Sequence, residues 1–152
     1  MSVKDFVQQR RDALIAMRRD FHMYPEPAWL EYRSAAKVAD TLISLGYDVA
    51  LGADVLDLDS RMGLPSDEVM KAAMDRAIEE GANPELVKKM GYGKTAIVAT
   101  MKFGGEGPVV AFRVDMDSND VIEAKEDNHV PAKGGFRSCH DKAMHACGHD
   151  AH

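Results

Sequence analysis

Cysteine is scarce: two among 152 residues, both within the last fourteen. That excludes a disulfide scaffold, which small secreted domains build from several bridges. Long apolar runs are missing too. None approaches the ~20 residues that span a bilayer, so no membrane partner is expected. The N-terminus, MSVKDFVQQRRDALIAMRRD, mixes charge with apolar residues throughout and lacks the uncharged core of a secretory signal. Positive charge falls short of negative, 19 Lys and Arg against 25 Asp and Glu, and the net charge of −6 argues against a nucleic-acid partner. These absences point to a cytoplasmic protein with reduced thiols. The rest is ordinary for one globular domain: 45% hydrophobic and 29% charged, long enough to bury a core.

What the chain does have is ligand chemistry, concentrated at one end. Cys139 to His152 read CHDKAMHACGHDAH and hold both cysteines and four of the six histidines. Thiolate and imidazole suit zinc, and also manganese, cobalt or nickel if carboxylates complete the site. Gly148 lets the backbone turn between Cys147 and His149, so both side chains can converge on one ion. Asp150 is placed to orient His149 by accepting its second ring N–H. His145, His152, Cys139 and His140 are further donors. They leave a rival open, a closed zinc knot of Cys139, His145, Cys147 and His149, although its spacing matches no familiar finger.

Periodicity supplies the frame. Apolar Phe6, Leu14, Ile15, Met17 and Phe21 predict an amphipathic helix from about Val3 to Tyr24, stopped by Pro25 and Pro27. The arginine pairs 10/11 and 18/19 read as its solvated face; His22, with Tyr24-Pro25-Glu26, is a third functional candidate, read first as a C-terminal cap before the proline stop and second as a catalytic residue. A second helix is expected over Ser34 to Leu45, ended by Gly46, then a strand from Tyr47 to Leu51. Ser66 and Asn83-Pro84 are start signals for a pair of helices ending near Gly81 and Gly91. Strands are expected over Thr95 to Phe103 and, as an interior strand, Val109 to Val114. The latter runs into Asp115 and Asp117, where α/β sheets place their sites. Their alternative role is turn formation. This order fits an α/β domain lacking its later strands.

Three segments carry a family likeness. RRDFHMYPEPAWLEYRSA, AFRVDMD and MHACGHDAH resemble the N-terminal signatures of the aminoacylase, hippurate hydrolase and auxin-conjugate amidohydrolase metallopeptidases. LGYDVALGADVLDLDSRMGLP and the helices after it resemble, more narrowly, the branch acting on aminobenzoyl-glutamate. The resemblance implies a three-layer α/β/α catalytic domain of zinc-aminopeptidase type with a helical insert at about 55–92. Residues 1–152 would be its N-terminal portion, without the dimerisation domain. It implies one or two divalent ions, zinc or manganese. Cys147 and His149 would be ligands and Asp115 a supporting acid at its strand end. Asp150, Asp117, His145 and His152 would stand around them. The implied reaction is hydrolysis of the amide bond of an N-acyl amino acid. The family's general-base glutamate lies in a Glu-Glu motif beyond CGHD, so a fragment with little activity of its own is expected. A B-type subunit or a second copy in a homodimer is the implied partner. Ser118-Asn119-Asp120 replaces the family's usual Ala-Leu-Pro after DMD, which implies a differently shaped loop. A small structural zinc module and a half-enzyme completed by another chain remain the alternatives.

Overall fold

A computed structural model describes all 152 residues. In chain order it contains α1 (Val3–Gln9), α2 (Arg11–Met23), α3 (Tyr32–Ser44), β1 (Asp48–Leu51), α4 (Asp67–Glu79), α5 (Pro84–Met90), β2 (Ile97–Thr100) and α6 (Val130–Lys133). Short 3-10 turns occupy Gly52–Asp54, Leu58–Ser60 and His149–Ala151. The chain divides into two compact units. One is Glu26–Asp117; the other joins Met1–Pro25 to Ser118–His152. No helix is long and apolar enough to cross a membrane.

The central unit, Glu26–Asp117, owes its form to helix caps and small residues. Helix α3 begins where the Glu26 carboxylate accepts the backbone N–H groups of Arg33 (2.9 Å) and Ser34 (2.8 Å). It ends in a Schellman motif: Gly46 N–H bonds Ile43 O and Tyr47 N–H bonds Leu42 O, with Gly46 at φ +86°. Its buried face is Tyr32, Ala35, Ala36 and Ala39, the i, i+3, i+4, i+7 stripe of an amphipathic helix. Helix α4, capped by Ser66, presents Met70, Ala73 and Ala77. Helix α5, capped by Asn83 with Pro84 in its first turn, presents Val87 and Met90. Alanines let α3 and α4 pack closely, while Tyr32, Val87 and Met90 fill the centre at 0% exposure. Burying an apolar side chain of that size contributes about 1.5–3 kcal/mol.

Strands β1 and β2 pair antiparallel, Asp48 opposite Thr100 through Leu51 opposite Ile97. Gly52 follows at φ +74°, where an added Cβ would lie 3.0 Å from the Lys89 carbonyl oxygen. Only glycine combines that backbone conformation with so close an approach to α5.

Three expectations are corrected. The single N-terminal helix is two, broken at Arg10 (φ −102°, ψ 5°). Its intended apolar stripe stays open: Phe6, Leu14 and Met17 are at least 42% exposed, and the buried residue of α2 is His22. The segment Val109–Val114 forms no strand. Val109 is 98% and Phe112 91% exposed, and the sheet has two strands only. An apolar run records what a strand buries once partnered; an interior strand also needs a ladder on each side, and β1 and β2 pair with each other. The architecture is thus mixed helix and strand around one small sheet.

Candidate functional site

The ligand-rich tail belongs to the unit formed by the two chain ends. Gly148 is left-handed (φ +92°) and opens the 3-10 turn His149–Ala151. A side chain there would be strained, so glycine is what permits the turn between Cys147 and His149. Cys147 is exposed, His149 half-buried and His145 buried. The turn also brings His152 to His149: their ring centroids are 4.9 Å apart, and a nitrogen of each lies within 4.8 Å of the other. Cys139 and His140 are a separate pair, with donor atoms within 4.8 Å. Both are tied to the end of α2, Cys139 N–H to Met23 O (2.9 Å) and His140 Nδ1 to Pro25 O (2.7 Å). This grouping differs from the four-ligand knot. No disulfide joins the cysteines.

Asp150 does not turn its bonded oxygen to His149. Its side chain is fully buried, and Oδ2 meets His22 Nδ1 at 2.9 Å and the Arg18 guanidinium at 3.4 Å. His22 Nε2 meets Glu123 Oε1 at 2.8 Å. Both ring nitrogens of His22 thus face a buried carboxylate. Glu123 also accepts from His129 Nε2 (2.8 Å) and from the Ser138 amide. Burial pushes the Glu123 carboxyl up, but the bonds from His22, His129 and Ser138 outweigh it and hold it below the ordinary glutamate value. Arg137 clasps the same segment through the carbonyls of Glu123 and Ala124. Phe136 stands edge-on to His22 at 5.7 Å, and the Arg19 guanidinium lies over its ring. Reading His22 as a cap and Arg18 and Arg19 as a solvated face therefore missed their roles. Glu123 and His129 drew no notice either, since an isolated charged residue in a polar stretch carries no local signal of burial.

The central unit has its own cleft, of about 590 Å³, lined among others by Trp29, Glu31, Thr95, Arg113, Asp115 and Asp117. Asp115 is ion-paired with Arg113 at 2.7 Å. Thr95 donates its hydroxyl to Glu31 (2.7 Å). Burial nevertheless raises the Glu31 carboxyl above its ordinary value, and the nearby Asp117 adds to the rise. Trp29 has φ +68°, unusual for a bulky residue, and its indole donates to Met62 O at 2.9 Å. At the start of α3, burial lifts Glu26 to about 7 despite its two amide donors.

No family model matches the chain. Relatives do. It is 45% identical over 150 residues to an indole-3-acetyl-aspartic acid hydrolase of Enterobacter agglomerans, covering 99% of this chain and 34% of that protein. It is also 45% identical over 151 residues to one of the subunits of p-aminobenzoyl-glutamate hydrolase from Escherichia coli K12, covering 99% and 35%. This chain belongs to their family. A crystal structure of an aminobenzoyl-glutamate utilization protein from Klebsiella pneumoniae matches with a TM-score of 0.76 and 46% identity, over 79% of this chain and 30% of that one. The chain thus spans about a third of the length of the relatives it matches. All three are similar along most of this chain, so the likeness includes far more than a short motif.

The donors present fit a transition metal. Thiol and imidazole are donor types that zinc takes, and the tail offers both: the rings of His149 and His152 bring a nitrogen of each within 4.8 Å of the other, while the exposed Cys147 thiol lies outside that cluster. Asp150 Oδ1 is buried and has no hydrogen-bond partner.

Proposed function

We propose that this chain carries part of the metal centre of an amidohydrolase that cleaves the amide bond of N-acyl amino acids, p-aminobenzoyl-glutamate among them. The observation that carries the reading is the Cys147–Gly148–His149 turn, found in a chain 45% identical along 99% of its length to hydrolases of such conjugates. Cys147 and His149 would hold the ion, zinc or manganese, with His152 beside them. Bound there, it would polarise the scissile carbonyl and acidify a water. Asp115 and Asp117 would serve as supporting acids from the end of their segment, and His145 would pack beneath the ligand turn. No residue of this chain is assigned the proton-accepting role. The surrounding domain would be of three-layer α/β/α type. The Escherichia coli relative is named as one subunit of its hydrolase, which supports completion by a second, different subunit or by another copy.

The test is metal binding and turnover side by side. The chain should bind zinc or manganese weakly, and Cys147→Ser and His149→Ala should each abolish binding. Release of glutamate from p-aminobenzoyl-glutamate should require the rest of the enzyme. Tight one-to-one zinc whose removal unfolds the chain would instead establish a structural zinc module. Metal binding untouched by both substitutions would overturn the ligand assignment.

A further inference from the structure

We infer that His22 is a positioning residue for the ligand turn: helix α2 holds Cys147 and His149 in place through the His22–Asp150 contact. The inference rests on the proposed ligand assignment for its functional meaning, but its geometry stands without it.

His22 lies in the last turn of α2 and is 5% exposed. It is the one side chain that touches both buried carboxylates of this unit, Asp150 at 2.9 Å and Glu123 at 2.8 Å. Asp150 follows His149 directly and lies within the 3-10 turn that His149 begins. Fixing its carboxylate fixes that turn. Gly148, left-handed and with nothing within 4 Å of where a Cβ would sit, offers no side-chain anchor of its own. Asp150 thus gives the turn that carries His149 a buried anchor. On the other side, Glu123 is gripped by His129, the Ser138 amide and His22. Its position is thus set by groups outside the turn that carries His149, and His22 passes that position on to Asp150. Arg18, itself exposed, adds a longer contact to Asp150 at 3.4 Å. Groups that orient metal ligands from behind govern affinity strongly, although they touch no ion.

The experiment compares wild type, His22→Gln, Asp150→Asn and the double variant in the full chain, with Cys147→Ser as control. Two readouts are taken at matched thermal stability. The first, without metal, is amide hydrogen exchange over residues 146–152. Both single variants should speed exchange there while leaving α3–α5 unchanged, and the double variant should add nothing to either. The second is cobalt(II) titration, followed by the thiolate-to-metal absorption that Cys147→Ser removes. His22→Gln and Asp150→Asn should each weaken cobalt binding by about 10-fold or more. Unchanged exchange in Asp150→Asn, which conserves shape, would overturn the inference, whatever His22→Gln does to folding. So would additive effects in the double variant. If exchange responds but wild type shows no absorption dependent on Cys147, the positioning role stands and the metal assignment falls.

Discussion

The two units are stabilised in opposite ways. Glu26–Asp117 is built around an apolar cluster of Tyr32, Ala35, Ala36, Ala39, Leu51, Ala73, Ala77, Ala82, Val87 and Met90. In the unit of the two chain ends, the buried residues are chiefly polar: His22, Ser118, Glu123, Ser138, His145 and Asp150, with Pro25 and Ala143 among them. Hydrophobic burial is non-directional and tolerates small shifts. Charged hydrogen bonds demand fixed geometry, and each partner costs heavily once the other is gone. A fold that must place donor atoms to within a fraction of an ångström gains from the second kind, and the candidate ligands are where it is found.

The sharpest way to break this contrast is Glu123→Ala. It leaves His22 Nε2, His129 Nε2 and the Ser138 amide without the carboxylate they face, and removing one partner of a buried charged group costs about 3–5 kcal/mol. Hydrogen exchange should show protection lost in α2 and the tail and retained in α3–α5. Met90→Ala should do the reverse. It empties the middle of the apolar cluster, at about 3 kcal/mol, and should loosen α3–α5 while the His22 bonds survive.

A smaller effect separates the units by pH. Glu26 binds its proton more tightly folded, at about 7, than its ordinary 4.5. Its contribution is fully present below pH 4.5 and is lost as pH rises through 7, by up to about 3 kcal/mol. Glu123 is shifted the other way. Its contribution is present above pH 4.5 and is lost as pH falls through its lowered value. The central unit should thus weaken on the alkaline side and the terminal unit on the acid side. Glu26→Gln should flatten the first trend alone. Region-resolved exchange from below the lowered Glu123 value up to pH 8 reads both, and parallel trends in the two units would refute the contrast.

Local chemistry was legible wherever a few adjacent residues decide the outcome. Ser66 and Asn83-Pro84 start α4 and α5, and Gly46 and Gly81 end α3 and α4 with left-handed residues, because caps are settled within one turn of chain. The apolar run Val109–Val114 misled, because a strand is defined by its neighbours and not by its own composition. The stripe on α1 and α2 misled for a related reason. A helical period shows which face could be buried, not whether anything lies against it.

The caps, the family likeness and the Cys-Gly-His turn can be read from contiguous residues alone. What stands behind that turn cannot. Asp150 sits next to His149 in the chain, yet its bonded oxygen faces His22, 128 residues away, and His22 reaches Glu123 across 101. Contacts that long leave no period or spacing in a sequence. They arise because buried charges must find partners, and the fold alone decides which partners are within reach.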